Sequence, residues 1–146
     1  VTDNPAAVLA ALAAPFAEEA VEWTPVSMSR DKGKGLMAAY LPVEAYVERL
    51  NAVLTPVGWC RTYTVDLLTG FERKTRDASS ISGKVLVRCA VSIVALNHTH
   101  SATGESWADD ENALTSADAQ AFKRACALWG LGAYLHRVPK SWAPFK

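Results

Sequence analysis

The sequence lacks the devices by which small enzymes are usually recognised. It has no GxxxxGK[ST] loop to cradle a nucleotide phosphate, no GxGxxG after a strand pattern, and no GxSxG elbow to activate a serine. It has no CxxC pair either. Its cysteines, Cys60, Cys89 and Cys126, are widely spaced in apolar stretches, which excludes a zinc ribbon or dithiol motif. They read as buried, reduced thiols of a cytoplasmic protein. No apolar run reaches the ~18 residues of a membrane span, and Ala6 to Ala14 is too short, and without a basic leader, to be a signal peptide. Net charge is also missing: 15 basic residues balance 15 acidic ones. Nucleic-acid-binding domains are usually basic, so this neutrality argues against that class unless the charges segregate on the folded surface.

What is present suits one globular domain over residues 1–146, half hydrophobic and 21% charged. The charges cluster along the chain. Arg73, Lys74, Arg76, Lys84 and Arg88 fall in one stretch, while acids gather from Glu105 to Asp118. Separate basic and acidic faces are therefore expected. Asn4 to Phe16 predicts a short helix, with Val8, Leu9, Leu12 and Phe16 near helical spacing. Val21 to Met28 predicts a strand, with a bulge or edge position at Pro25. A turn through Asp31 to Gly35, in which two glycines are free to take positive φ, leads to a strand over Leu36 to Leu41.

Pro42 suits the first position of a second helix, whose apolar stripe includes Tyr46, Leu50 and Val53. Trp59 to Leu67 alternates as a strand, Thr69 to Gly83 reads as a long polar loop or hairpin tip, and Lys84 to Leu96 is the longest strand candidate. His98 to Gly104 reads as a turn before a short strand around Glu105 to Ala108. A last helix follows, with Thr115 and Asp118 resembling a capping box and Ala121, Phe122, Ala125, Leu128 and Trp129 on one face; it ends near Gly130-Leu131-Gly132. The fold class is α+β, a helix packed on an antiparallel sheet.

Few residues could carry chemistry. His98 and His100, with Asp109 and Asp110 nearby, make a metal site imaginable, although two histidines in a polar loop are ordinarily just exposed. The remaining inventory is that of a binder. Arg30 and Lys32 lead into the glycine turn that Lys34 shares, and Lys123 and Arg124 are adjacent on the last helix. Lysine and arginine neutralise phosphates, and aromatic faces stack on unpaired bases. From charge alone, a solvated helix face is the more ordinary reading of Lys123 and Arg124.

The stretch from Asp118 to Leu135, DAQAFKRACALWGLGAYL, resembles the hallmark helix of the Rad52 superfamily of annealing proteins. Weaker similarity reaches upstream through Ser29-Arg30, the glycine turn, Tyr40, Gly58-Trp59 and Gly83-Lys84, and the proportions are those of the short bacterial members. The resemblance implies an antiparallel β-β-β-α core with a long curved sheet and a packed groove helix. It implies protomers joined side by side in a homo-oligomeric ring, with single-stranded DNA in a basic groove, for annealing or for end protection in DNA repair. No ATP, metal or other cofactor is implied, and other repair proteins are expected partners. Arg30, Lys123, Arg124 and Tyr40 fall on groove positions, Lys32 and Lys34 flank that groove, and Lys84 falls on a second, outer DNA site. Ala127 stands where the eukaryotic helix has another basic residue, and Ala133 and His136 also depart from the family pattern. With the neutral charge, Ala127 motivates an alternative: a protein-interaction or scaffold module on the same fold with weak DNA affinity.

Overall fold

The computed structural model describes residues 4–145. Helix α1 (Pro5–Ala13) opens under a side-chain cap, Asn4 Oδ1 accepting from the Ala6 and Ala7 amides at 3.0 and 3.4 Å. Strands β1 (Glu22–Met28) and β2 (Lys34–Tyr40) form a hairpin, and helix α2 (Val43–Leu54) follows. The expected bulge is present: the β1–β2 register shifts between Pro25 and Ser27, where proline cannot donate to the ladder. Then come two long strands, β3 (Trp59–Lys74) and β4 (Ser79–Ile93), the shorter β5 (His98–Trp107), helix α3 (Ala113–Leu128) and a final short strand β6 (Ser141–Pro144).

The strands make two antiparallel three-stranded sheets, a small one in the order β1-β2-β6 and a large one in the order β3-β4-β5. Helix α3 lies on the large sheet, against β5 and β4. The β-β-β-α core is therefore β3-β4-β5-α3. The inward β4 residues Val85, Val87, Cys89, Val91 and Ile93 are buried beneath α3, which contributes Ala117, Ala121, Phe122, Ala125 and Cys126. Phe122 is fully buried and stacks 6.2 Å from Trp59, with Tyr46 edge-on at 6.3 Å. Close contact of helix and sheet requires Gly104: a Cβ there would lie 2.3 Å from the Ala117 carbonyl oxygen.

Several expectations need correction. Of the two readings of residues 69–83, the hairpin tip holds and the long loop does not. The hairpin continues to Lys74 and resumes at Ser79, closed by the Thr75 amide donating to Ala78 at 2.8 Å. A register shift between Leu68 and Phe71, with Gly70 at φ 88°, breaks the alternation there, and beyond it the hairpin is mostly solvated, so no apolar face marks it. His98 to Gly104 is strand β5, not a turn. The reversal lies at Val94–Asn97, with Asn97 at φ 47°. This strand's small polar residues hid it; its pairing partners in β4 reveal it. The capping box does not form, because α3 begins at Ala113 and Thr115 already lies inside it. In the β1–β2 turn the positive φ belongs to Lys32, at 59°, and not to Gly33 or Gly35. β6 was not anticipated: its four residues gain strand structure only by pairing with β2.

Candidate nucleic-acid interface

The β1–β2 turn is built around Asp31. Its Oδ1 accepts from the Ser29 hydroxyl at 2.6 Å and the Gly33 amide at 2.9 Å, while the Ser29 hydroxyl oxygen accepts from the Lys34 amide at 3.0 Å. These bonds, the Ser29 one first, hold the Asp31 carboxyl below the usual carboxylate range. The acid of the turn is thus committed to its own backbone. Arg30, Lys32 and Lys34 have no carboxylate partner among the described residues.

Strand β2 leads from this turn to the last helix. Alternation places Lys34, Leu36, Ala38 and Tyr40 on one face of the small sheet. That face meets α3, since Lys123 Nζ sits 3.7 Å from the centre of the Tyr40 ring and 5.8 Å from that of Tyr46. A groove of about 570 Å³ opens here, lined by Tyr40, Ser116, Gln120, Lys123, Arg124 and His136 among others. Lys123 is half-buried against the two tyrosines, whereas Arg124 is exposed and donates to the Thr103 carbonyl at 3.0 Å. Burial pushes the Tyr46 phenol up to about 12, so it stays a neutral floor to the groove. The backbone there depends on Gly132, at φ 73°, where a Cβ would press to 2.8 Å from the Tyr46 ring. His136, noted in the sequence only as a departure from the family pattern, lines this groove.

Lys84 lies elsewhere. It projects from the face of the large sheet opposite α3, 4.6 Å from the centre of the Trp107 ring, 5.3 Å from that of Phe71 and 3.6 Å from Glu105. Arg73 nearby bridges Asp109 and Asp110, each at 2.8 Å. The expectation of separate basic and acidic faces fails here, because antiparallel pairing carries the basic β3–β4 stretch alongside the acidic end of β5. Arg73 and Lys84 are neutralised in this way, whereas Lys74, Arg76 and Arg88 of the same stretch, like the turn and groove cations, have no ion pair among the described residues.

The imagined metal set is also taken apart. His98 and His100 open β5 and pack against Trp129, with ring centres 5.7 and 4.5 Å away, while Asp109 and Asp110 follow its other end. The strand's length separates the two groups by roughly 30 Å. Among the described residues no three His, Cys, Asp or Glu side chains gather as a metal site, and no helix is long and apolar enough to cross a membrane.

Strand β3 is an edge strand that α3 leaves partly uncovered. Tyr63, Val65 and Leu67 are exposed on its α3 side, next to exposed Leu114, and border a groove that also reaches Asp118. Burial and the neighbouring Asp118 carboxyl group raise the Tyr63 phenol, and Asp118 Oδ1 is buried without a hydrogen-bond partner among the described residues.

Comparison with known proteins agrees with this architecture. The family described as Rad52/22 family double-strand break repair protein matches residues 4–145. Two curated relatives are each called single-stranded DNA-binding protein DdrA. That of Deinococcus deserti is 30% identical over 131 residues, covering 90% of this chain and 57% of the relative. That of Deinococcus radiodurans is 29% identical over 132 residues, covering 90% of this chain and 56% of the relative. The chain spans just over half the length of these relatives.

Proposed function

The chain belongs to the Rad52/22 family of double-strand break repair proteins, and on that premise we propose that it binds single-stranded DNA along the face running from the β1–β2 turn to α3. The observation that carries this reading is the clustering of unpaired cations beside an aromatic groove. Lys123 sits over Tyr40, and Arg30, Lys32 and Lys34 lie along the same sheet and its turn with no ion pair among the described residues, whereas Arg73 and Lys84 are tied to the acidic end of β5 and its following turn. A chain of zero net charge thus keeps a cationic path with aromatic Tyr40 on its floor, the combination that holds a phosphate backbone and stacks bases without reading sequence. Arg124 adds a cation at the groove, and Lys84 offers a separate contact on the opposite face only where a phosphate displaces Glu105, 3.6 Å away. The role is binding without catalysis: protection of DNA ends, strand annealing, or both, since each uses the same face.

Assembly side by side into a ring accompanies this role. An unpaired β3 edge with exposed Val65 and Leu67 is a surface that a second copy would cover. A protein-interaction module is the second reading, favoured by that same apolar strip. Fluorescence anisotropy with a labelled single-stranded oligonucleotide, at two salt concentrations and against the matching duplex, separates the two. Binding that weakens steeply with salt and favours the single strand supports the DNA reading. Folded protein that leaves the oligonucleotide free at low salt establishes the other.

A further inference from the structure

Of the five tryptophans, four have an evident structural place. The Trp59 and Trp129 indole N–H groups donate to Asn51 at 2.7 Å and to the Val91 carbonyl at 3.1 Å. Trp107 lies beneath the Lys84 and Arg73 cations, and Trp23, itself half-exposed, lines an open groove with Phe16 and Tyr134. Trp142 differs. It is 55% exposed, stacks on no other ring and makes no hydrogen bond through its indole among the described residues.

Its position is set by the β6 pairing. Trp142 stands opposite Leu36, and cross-strand partners share a face, so Trp142 lies on the face that carries Lys34 and Tyr40. The contact of Lys123 with Tyr40 marks that face as the one turned toward the groove. Leu36 is four residues from Tyr40, roughly 13 Å along the strand. Lys34 lies two residues beyond Leu36 on the same face, with Arg30 and Lys32 in the adjoining turn.

We propose that Trp142 is a second base-stacking platform, so that unpaired bases of single-stranded DNA rest on Tyr40 and Trp142 while Lys34 and Lys123 hold the flanking phosphates. The inference rests on the DNA-binding reading and names further contacts within it. An exposed indole without a partner on a cationic face fits a flat, uncharged base, and the cations on either side fit the backbone that carries it.

The test compares wild type, Trp142→Ala and Trp142→Phe by anisotropy, on a labelled oligothymidylate and on an abasic strand of equal length. Sedimentation velocity of each protein is run in parallel. Trp142→Ala is expected to lower affinity for oligothymidylate roughly five- to hundred-fold, with Trp142→Phe retaining most of it. The salt dependence stays unchanged, because no phosphate contact is lost, and the difference disappears on the abasic strand. Equal affinity of Trp142→Ala and wild type for oligothymidylate overturns the proposal. So does a loss that persists on the abasic strand, or an altered oligomeric state, which would make Trp142 a subunit contact. Failure of wild type to bind either strand overturns the DNA reading itself, and is distinct from all of these.

Discussion

On the large sheet Lys84 lies 3.6 Å from Glu105 and Arg73 bridges two aspartates, whereas on the small sheet Lys34 has no carboxylate partner among the described residues and Asp31 is turned into its own loop. On the large sheet Arg73 and Lys84 hold the end of the long hairpin against β5 and the turn after it, while Lys74 and Arg88 make no ion pair among the described residues. On the small sheet the cations of the turn remain available for an outside anion. Aromatics also serve both ends: Trp59 of the large sheet and Phe122 of α3 pack the core, whereas Tyr40 and Trp142 on the small sheet, and Phe71 beside Lys84 on the large one, stay exposed. Cationic and aromatic composition therefore does not identify a binding surface. What identifies it is whether the folded chain has already supplied the partners.

The strongest way to break this division is to attack the packed sheet. Phe122→Ala should cost about 3–5 kcal/mol, since it empties a fully buried site between Trp59 and Tyr46. Urea denaturation measures the loss, and DNA binding should fall only as far as the folded fraction does. A large loss of affinity in fully folded Phe122→Ala protein would mean that the core side of α3 is not separate from the groove side.

The next largest effect is expected from the opposite side of that helix. Lys123→Ala combined with Arg124→Ala should lower single-strand affinity tenfold or more and reduce the slope of log affinity against log salt by roughly 1.4, about 0.7 for each phosphate contact. Arg30→Ala should reduce that slope by about 0.7 with a smaller loss of affinity. Both proteins should unfold at the wild-type urea midpoint. Leu67→Glu, on the β3 edge, should shift the assembly toward smaller species in sedimentation velocity, because it buries a charge in any covered interface. An unchanged sedimentation profile would remove β3 from the assembly surface.

Arg73→Ala sharpens the comparison from the paired side. It should leave the salt slope of DNA binding unchanged, because this guanidinium already has two carboxylate partners. The smallest effect concerns thiols. Burial raises the Cys89 thiol to about 11 and the Cys126 thiol further still, so both are protonated at pH 8, whereas Cys60 is exposed. Brief alkylation at pH 8 should therefore modify one cysteine in native protein and all three after denaturation, as mass spectrometry would record. Modification of Cys89 in native protein would show that α3 does not cover the large sheet as described.

Periodicity made α1, α2, the first hairpin and α3 legible, since each carries an apolar face of its own, and Pro25 announced its bulge through its missing amide. It failed where an element's face is defined by a neighbour. β5 presents His98, His100, Ala102 and Gly104 to α3, a row whose only logic is room for the helix. The far half of the β3–β4 hairpin has no covered side to mark it. The candidate groove was legible mainly through the α3 motif and its resemblance, which pointed to Lys123, Arg124, Arg30 and Tyr40. Nothing in the spacing of His136 or Trp142 pointed to either, because the first reaches the groove through a short 3₁₀ turn and the second through strand pairing.

By itself the sequence determined the α+β class, the family through its α3 motif, and the residue types available to a phosphate backbone, because these depend on local pattern. Which cations are free was decided only by the tertiary structure. Ion pairing depends on distance in space: the β3–β4 hairpin and β5 bring Arg73 and Lys84 to acids that are remote in sequence, while the turn around Asp31 spends its acid on hydrogen bonds and leaves Arg30, Lys32 and Lys34 unpaired.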